Sequence, residues 1–161
     1  MELLLVRHAI AEPAAAGQAD AERPLSARGR ERFEACVRGL SALELDLDRV
    51  LHSPLLRAVQ TADLLADLLR GESVVTPTLA APPGSQLLAL LQSLDEDERV
   101  ALVGHEPWMS ATCALLLTGS RACESFPFKK GGVAWLEGRP TPGGARLRGF
   151  FPPGALAQIG V

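Results

Sequence analysis

Short apolar runs alternating with stretches of helical period constrain this chain more than any other feature. LLLV (residues 3–6), RVLHS (49–53), SVVT (73–76) and VALVGH (100–105) are leucine-rich or β-branched and bounded by turn residues, the pattern of strands buried on both faces. Helical stretches lie between them. Ser26 can cap a helix reaching about Leu43, with Phe33, Val37 and Leu40 on one face. Pro54 suits the first turn of a helix running to about Leu69, and Pro107 that of one running to Leu117. A shorter helix is expected over 85–94. Such alternation demands right-handed crossovers, so the expected fold class is α/β, three layers with a mostly parallel central sheet flanked by helices. After Gly119 the pattern changes: GGVAWLEG (131–138) and ARLRGFF (145–151), separated by RPTPGG, predict a pair of C-terminal antiparallel strands. The stretch from Pro13 to Glu22 reads as a loop. With 161 residues and 47% hydrophobic content, one domain over 1–161 is expected.

Charge and cysteine usage exclude several classes of function. A net charge of −3 argues against a nucleic-acid or anionic-membrane partner held by bulk electrostatics, so any positive site must be built locally. Cys36, Cys113 and Cys123 are odd in number and form no CxxC pair, which speaks against a disulfide framework or a zinc knuckle. No apolar stretch approaches the roughly 20 residues of a membrane helix, and the start lacks a secretory pattern. A reducing, cytoplasmic location is expected.

In open α/β sheets, ligands bind beyond the carboxyl ends of the strands. The first apolar run ends in Arg7 and His8, the second leads through His52, Ser53 and Pro54 to Arg57, and the fourth ends in Gly104 and His105. Taken singly, Arg7 and His8 fit a strand-end ion pair and a surface imidazole, Arg57 a solvated cation, and His105 a satisfied core histidine. If the strands are neighbours, Arg7, His8, Arg57 and His105 converge on one pocket. Each guanidinium there can grip two phosphoryl oxygens.

The segments VRHAIAE, RPLSARG, SPLLRAVQTADLLA and LVGHEPWMS, in this order and spacing, resemble the histidine phosphatase superfamily and its SixA-type phosphohistidine phosphatases. The resemblance runs from residue 2 to about 118. It implies a phosphoglycerate-mutase-like fold, with His8 as nucleophile, Arg7 and Arg57 as catalytic phosphate-binding clamps, and His105 as the second catalytic and phosphate-binding histidine. Ala9 stands where the wider superfamily has Gly. A nucleophilic imidazole must be unprotonated, and two adjacent arginines favour that form. Attack on phosphorus would give a phosphohistidine intermediate that water resolves, with a protonated His105 helping to stabilise the transition state. No metal and no cofactor are expected.

Relatives acting on phosphate esters carry a Glu or Asp proton donor after the third strand, but no acid occurs here from Ser73 to Leu94. An imidazole leaving group needs less help from an acid than an alkoxide does. The expected substrate is therefore phosphohistidine in a partner protein, such as a phosphotransfer or phosphocarrier domain. Glu12 and Glu106 are the nearest substitutes for the missing acid. The competing readings are a small-molecule phosphoester phosphatase of the same superfamily and a non-catalytic module that binds a phosphorylated partner. Asp46, Asp48 and Val50 match the letters of an aspartate-nucleophile motif but precede RVLHS instead of following it. No Cys-x5-Arg or Gly-Lys occurs, so cysteine phosphatase and P-loop chemistry lack their motifs.

Overall fold

The computed structural model describes residues 1–122 and 126–161. Six strands form one sheet: β1 (Glu2–Arg7), β2 (Leu47–His52), β3 (Leu69–Val75), β4 (Arg99–Gly104), β5 (Val133–Gly138) and β6 (Ala145–Phe151). Five helices accompany them: α1 (Ala27–Ala42), α2 (Leu56–Asp63), α3 (Ser85–Gln92), α4 (Trp108–Thr118) and α5 (Pro153–Ile159). The strand order is β3-β2-β4-β1-β5-β6. The first four strands in that order pair in parallel, whereas β5 runs antiparallel to both β1 and β6. This is the expected α/β architecture with its antiparallel C-terminal pair.

Strand alternation sends successive side chains to opposite faces, and two cores result. Leu4, Val6, Val50, Ala101 and Val103 face a core with Phe33, Val37 and Leu40 of α1, Ala58 and Ala62 of α2, and Leu156 of α5. Leu3, Leu5, Leu51, Val100 and Leu102 face the other, with Leu87 and Leu91 of α3 and Met109, Cys113 and Leu116 of α4. Three layers follow. Cys36 and Cys113 are free and buried, as small core fillers should be; Cys123 lies outside the described residues. Among the described residues no helix is long and apolar enough to cross a membrane.

Several boundaries differ from expectation. Ser26 does cap α1, its Oγ accepting from Gly29 N at 3.0 Å. The helix expected over 54–69, however, is α2 followed by a 3-10 turn at Ala66–Leu68, and β3 begins at Leu69 instead of 73. The cause is position: β3 is the sheet edge, most of its residues are exposed, and LRGES carries none of the apolar continuity of a buried strand. β2 likewise begins at Leu47, two residues ahead of the apolar run. Pro107 occupies the N-cap of α4, before its first turn. The helix α5 is unexpected altogether, because PPGALAQIG is short and its Pro-Pro-Gly start reads as a turn. α5 seats on α1 through Gly39, where an added Cβ would stand 2.1 Å from the Leu156 carbonyl oxygen. The loop expected over 13–22 contains a 3-10 turn at Asp20–Glu22.

Candidate active site

Sheet order determines what can meet. β2, β4 and β1 are consecutive and parallel, so their carboxyl ends open on one edge, with Arg7 level with Gly104 and His52 level with Val103. The ladder continues past the strand ends. His8 N donates to Gly104 O at 2.9 Å and Ser53 N to Val103 O at 3.0 Å, while Gly131 N bonds the carbonyls of Arg7 and His8, each at 3.1 Å. On the other side, the buried Thr61 hydroxyl accepts from Ala9 N at 3.0 Å and donates to Arg57 O at 2.6 Å, tying α2 to the end of β1. The backbone that carries His8 is therefore braced from three directions.

The four expected residues assemble at this edge. His8, Arg57 and His105 are each only 7% exposed, and the two imidazoles lie 5.1 Å apart between ring centroids. His8 Nδ1 sits 2.7 Å from Ala9 O. A carbonyl can only accept, so Nδ1 holds the proton and Nε2 keeps its lone pair. Burial pushes the His8 pKa down to about 3, against the Ala9 hydrogen bond, with His105, Arg57 and Arg7 adding repulsion. Desolvation, ahead of the arginines invoked from sequence, is thus the main reason this imidazole is neutral. His105 is held down to about 4 by burial and then by Arg57. In the unliganded pocket it is therefore neutral; the protonated form expected in the transition state belongs to the loaded site, where a dianionic phosphoryl group would act in the opposite sense.

The two arginines are anchored differently. Arg7 donates from Nη1 to Phe128 O at 2.6 Å, while its Nε is buried without a partner among the described residues. Burial lowers its pKa, and the Glu106 charge counters the shift. Arg57, in the first turn of α2 where the helix dipole disfavours a cation, is met by Asp20: Nη1 donates to Asp20 O at 2.7 Å and Nη2 to Asp20 Oδ2 at 2.9 Å. Hydrogen bonds from Arg23 and Arg57 keep the Asp20 carboxyl below its ordinary range. A carboxylate from the 13–22 loop thus occupies the fork assigned to phosphate.

Asp20 lies in the stretch read from sequence only as a loop, with no residue of it assigned to the site; RPLSARG just downstream is the signal that this stretch returns to the site. Ser53 was noticed only as a strand-end residue. Its hydroxyl, fully buried, lies 2.7 Å from His105 Nε2. Of the two substitute acids, Glu12 is exposed, with its backbone bonded to Pro24 and Arg23. Glu106 is half-buried; its Oε2 lies 2.6 Å from the Ser110 hydroxyl and its Oε1 is buried with no partner among the described residues. Asp46 and Asp48 fall at the opposite end of the sheet. Asp46 pairs with Arg70, and Asp48 accepts from Arg99 N at 2.8 Å. A hollow of about 690 Å³ is also at that far end, between Leu91, Glu96, Glu137 and Arg139, and holds none of the clustered histidines.

Comparison with known proteins places the chain in a family. The profile of the histidine phosphatase superfamily (branch 1) matches residues 3–80. An uncharacterised protein of Picosynechococcus sp. is 34% identical over 152 residues, covering 92% of this chain and 89% of the relative. The phosphohistidine phosphatase SixA of Escherichia coli (strain K12) is 32% identical over 125 residues, covering 74% of this chain and 76% of SixA. Among solved structures, that of the protein histidine phosphatase SixA complexed with tungstate superposes with a TM-score of 0.83 at 27% identity, covering 97% of this chain and 99% of the other. With its phosphoglycerate-mutase-like α/β fold and its RH, SPxxR and GH segments at neighbouring strand ends, this chain belongs to the histidine phosphatase superfamily and, within it, to the SixA type.

Proposed function

We propose that this phosphatase removes phosphate from phosphohistidine in a partner protein through a phosphorylated His8. The observation that carries the reading is the state of His8: buried, neutral, and held by Ala9 O so that Nε2 presents a lone pair beside His105 and Arg57. In the first step Nε2 attacks phosphorus. The bond from phosphorus to the substrate imidazole breaks, and the departing nitrogen takes a proton from solvent. In the second, water attacks the phosphoryl group, the bond to His8 Nε2 breaks, and phosphate leaves. Arg7 and Arg57 hold the phosphoryl oxygens as their charge grows. The positive charge comes from guanidinium groups, and among the described residues no cluster of His, Cys, Asp or Glu is arranged for a metal ion. The reaction is accordingly proposed to be metal-independent; a cytoplasmic setting is proposed separately, from three cysteines that form no CxxC pair.

The preference for phosphohistidine rests on the segment from Ser73 to Leu94, which has no carboxyl group to protonate an alkoxide. Without that donor the barrier depends steeply on how well the leaving group bears its electrons. The test compares kcat/KM across phosphohistidine protein, aryl phosphates of graded leaving-group pKa, and alkyl phosphates, with and without EDTA. Phosphohistidine and activated aryl phosphates should exceed alkyl phosphates by about 10²- to 10⁴-fold, the usual contribution of a general acid, and EDTA should change nothing. A flat profile with chemistry rate-limiting defeats the phosphohistidine preference, and a rate that collapses on chelation defeats metal independence.

A further inference from the structure

The hydroxyl of Ser53 has a task that packing does not require. It is fully buried, accepts from Leu55 N at 3.3 Å, and lies 2.7 Å from His105 Nε2. A hydroxyl has one hydrogen to donate. Among the described residues no other acceptor is in reach of it, so if Nε2 carried a proton and donated to Ser53, the serine hydrogen would be stranded in a dry interior. An unpaired buried donor is costly, and the favoured arrangement is Ser53 O–H donating to Nε2. The proton of the neutral imidazole then resides on Nδ1. That nitrogen is buried with no hydrogen-bond partner among the described residues, on a ring whose centroid lies 5.1 Å from that of His8.

We infer that Ser53 is a positioning residue that fixes the Nδ1–H tautomer of His105, so that a neutral imidazole offers its one N–H to a phosphoryl oxygen held at His8. Both histidines of the pocket are then set by what lies at their outer edges: a carbonyl fixes Nδ1–H on His8, exposing a lone pair to attack, and a hydroxyl fixes Nδ1–H on His105, exposing a donor. One ring serves as nucleophile and the other as electrophile. No proton need be drawn from solvent to prepare His105 for binding.

This inference rests on the phosphatase reading for its kinetic consequence but not for its structural one. The ¹⁵N resonances of the imidazoles in the unliganded wild-type protein at pH 7.5 distinguish the two tautomers directly. His105 should read as Nδ1–H; an Nε2–H tautomer overturns the inference whatever the protein hydrolyses. In Ser53→Ala the His105 tautomer should shift toward Nε2–H, and kcat with phosphoramidate should fall by about 10²- to 10³-fold, the scale of losing one oriented donor, with KM changing far less. Retention of both tautomer and kcat in a folded Ser53→Ala protein overturns it too. If that variant does not fold, the wild-type spectrum decides. Should the wild-type protein show the expected tautomer and no phosphatase activity, the functional reading fails while the role of Ser53 in setting the ring stands.

Discussion

At the scale of single residues, reactivity in this pocket comes from where protons are kept. The neutral state of His8, with its lone pair on Nε2, owes less to the arginines around it than to burial and to one carbonyl that holds Nδ1–H. This was half legible. Arg7, His8, Arg57 and His105 stand at strand ends, and strand ends can be read from apolar runs. Ser53 and Asp20 act through contacts across 52 and 37 residues of chain, respectively, which no local pattern encodes. The consequence for His8 is direct. In a rapidly quenched reaction the wild-type protein should carry an acid-labile phosphate on His8, found by mass spectrometry at alkaline pH. His8→Ala should keep its circular dichroism spectrum and lose about 10³-fold or more in kcat, as removal of a nucleophile does. Near-normal turnover by the folded variant would remove His8 from the mechanism.

At the scale of elements, the stretch between β1 and α1 behaves as a clasp. Its base is closed by the bridge between Ala11 and Leu25, by Glu12 N to Pro24 O at 2.8 Å, and by Arg23 Nε to Glu12 O at 2.8 Å. Its far part is fastened where Asp20 meets Arg57 and Arg23. Arg57 is 9% exposed at its side chain and Asp20 63%. A buried cation without an anion is unfavourable, whereas the exposed carboxylate is cheaply returned to water. With Arg57 as the proposed phosphate clamp, phosphate and Asp20 would compete for one fork. Asp20→Ala should bind inorganic phosphate and tungstate more tightly, by about tenfold, and its 13–22 segment should be cut faster by protease in the empty protein; calorimetry and limited proteolysis measure these. Weaker anion binding would instead make Asp20 a support that orients Arg57. Elements were legible in proportion to burial. β1 and β4, covered on both faces, could be bounded to within a residue or two; the exposed edge β3 and the seven-residue α5 could not, because their places are set by partners rather than by their own composition.

At the scale of the whole molecule, a site built from two buried neutral histidines ties folding to pH. The folded protein holds His8 at about 3 and His105 at about 4, while an unfolded chain titrates histidine near pH 6.5. Between about pH 6.5 and these lower values the unfolded state binds more protons than the folded one, so stability falls as pH falls through that window and is fully present above it. Each histidine contributes a slope of up to about 1.4 kcal/mol per pH unit there. The depressed carboxyls of Asp20 and Glu2 act in the same direction but further down, below their ordinary values of 3.8 and 4.5. The range from pH 6.5 to 5 therefore isolates the imidazoles. Urea midpoints of the wild-type protein should drop across that range at constant ionic strength. A His8→Gln/His105→Gln double variant should show a markedly shallower drop. Saturating phosphate, which binds the folded state alone and favours protonated imidazole, should shift the wild-type curve upward most at the acid end. Equal slopes in wild type and double variant would mean that the pocket admits enough water to keep both rings near their ordinary titration, and burial would then lose its place as the cause of a neutral His8.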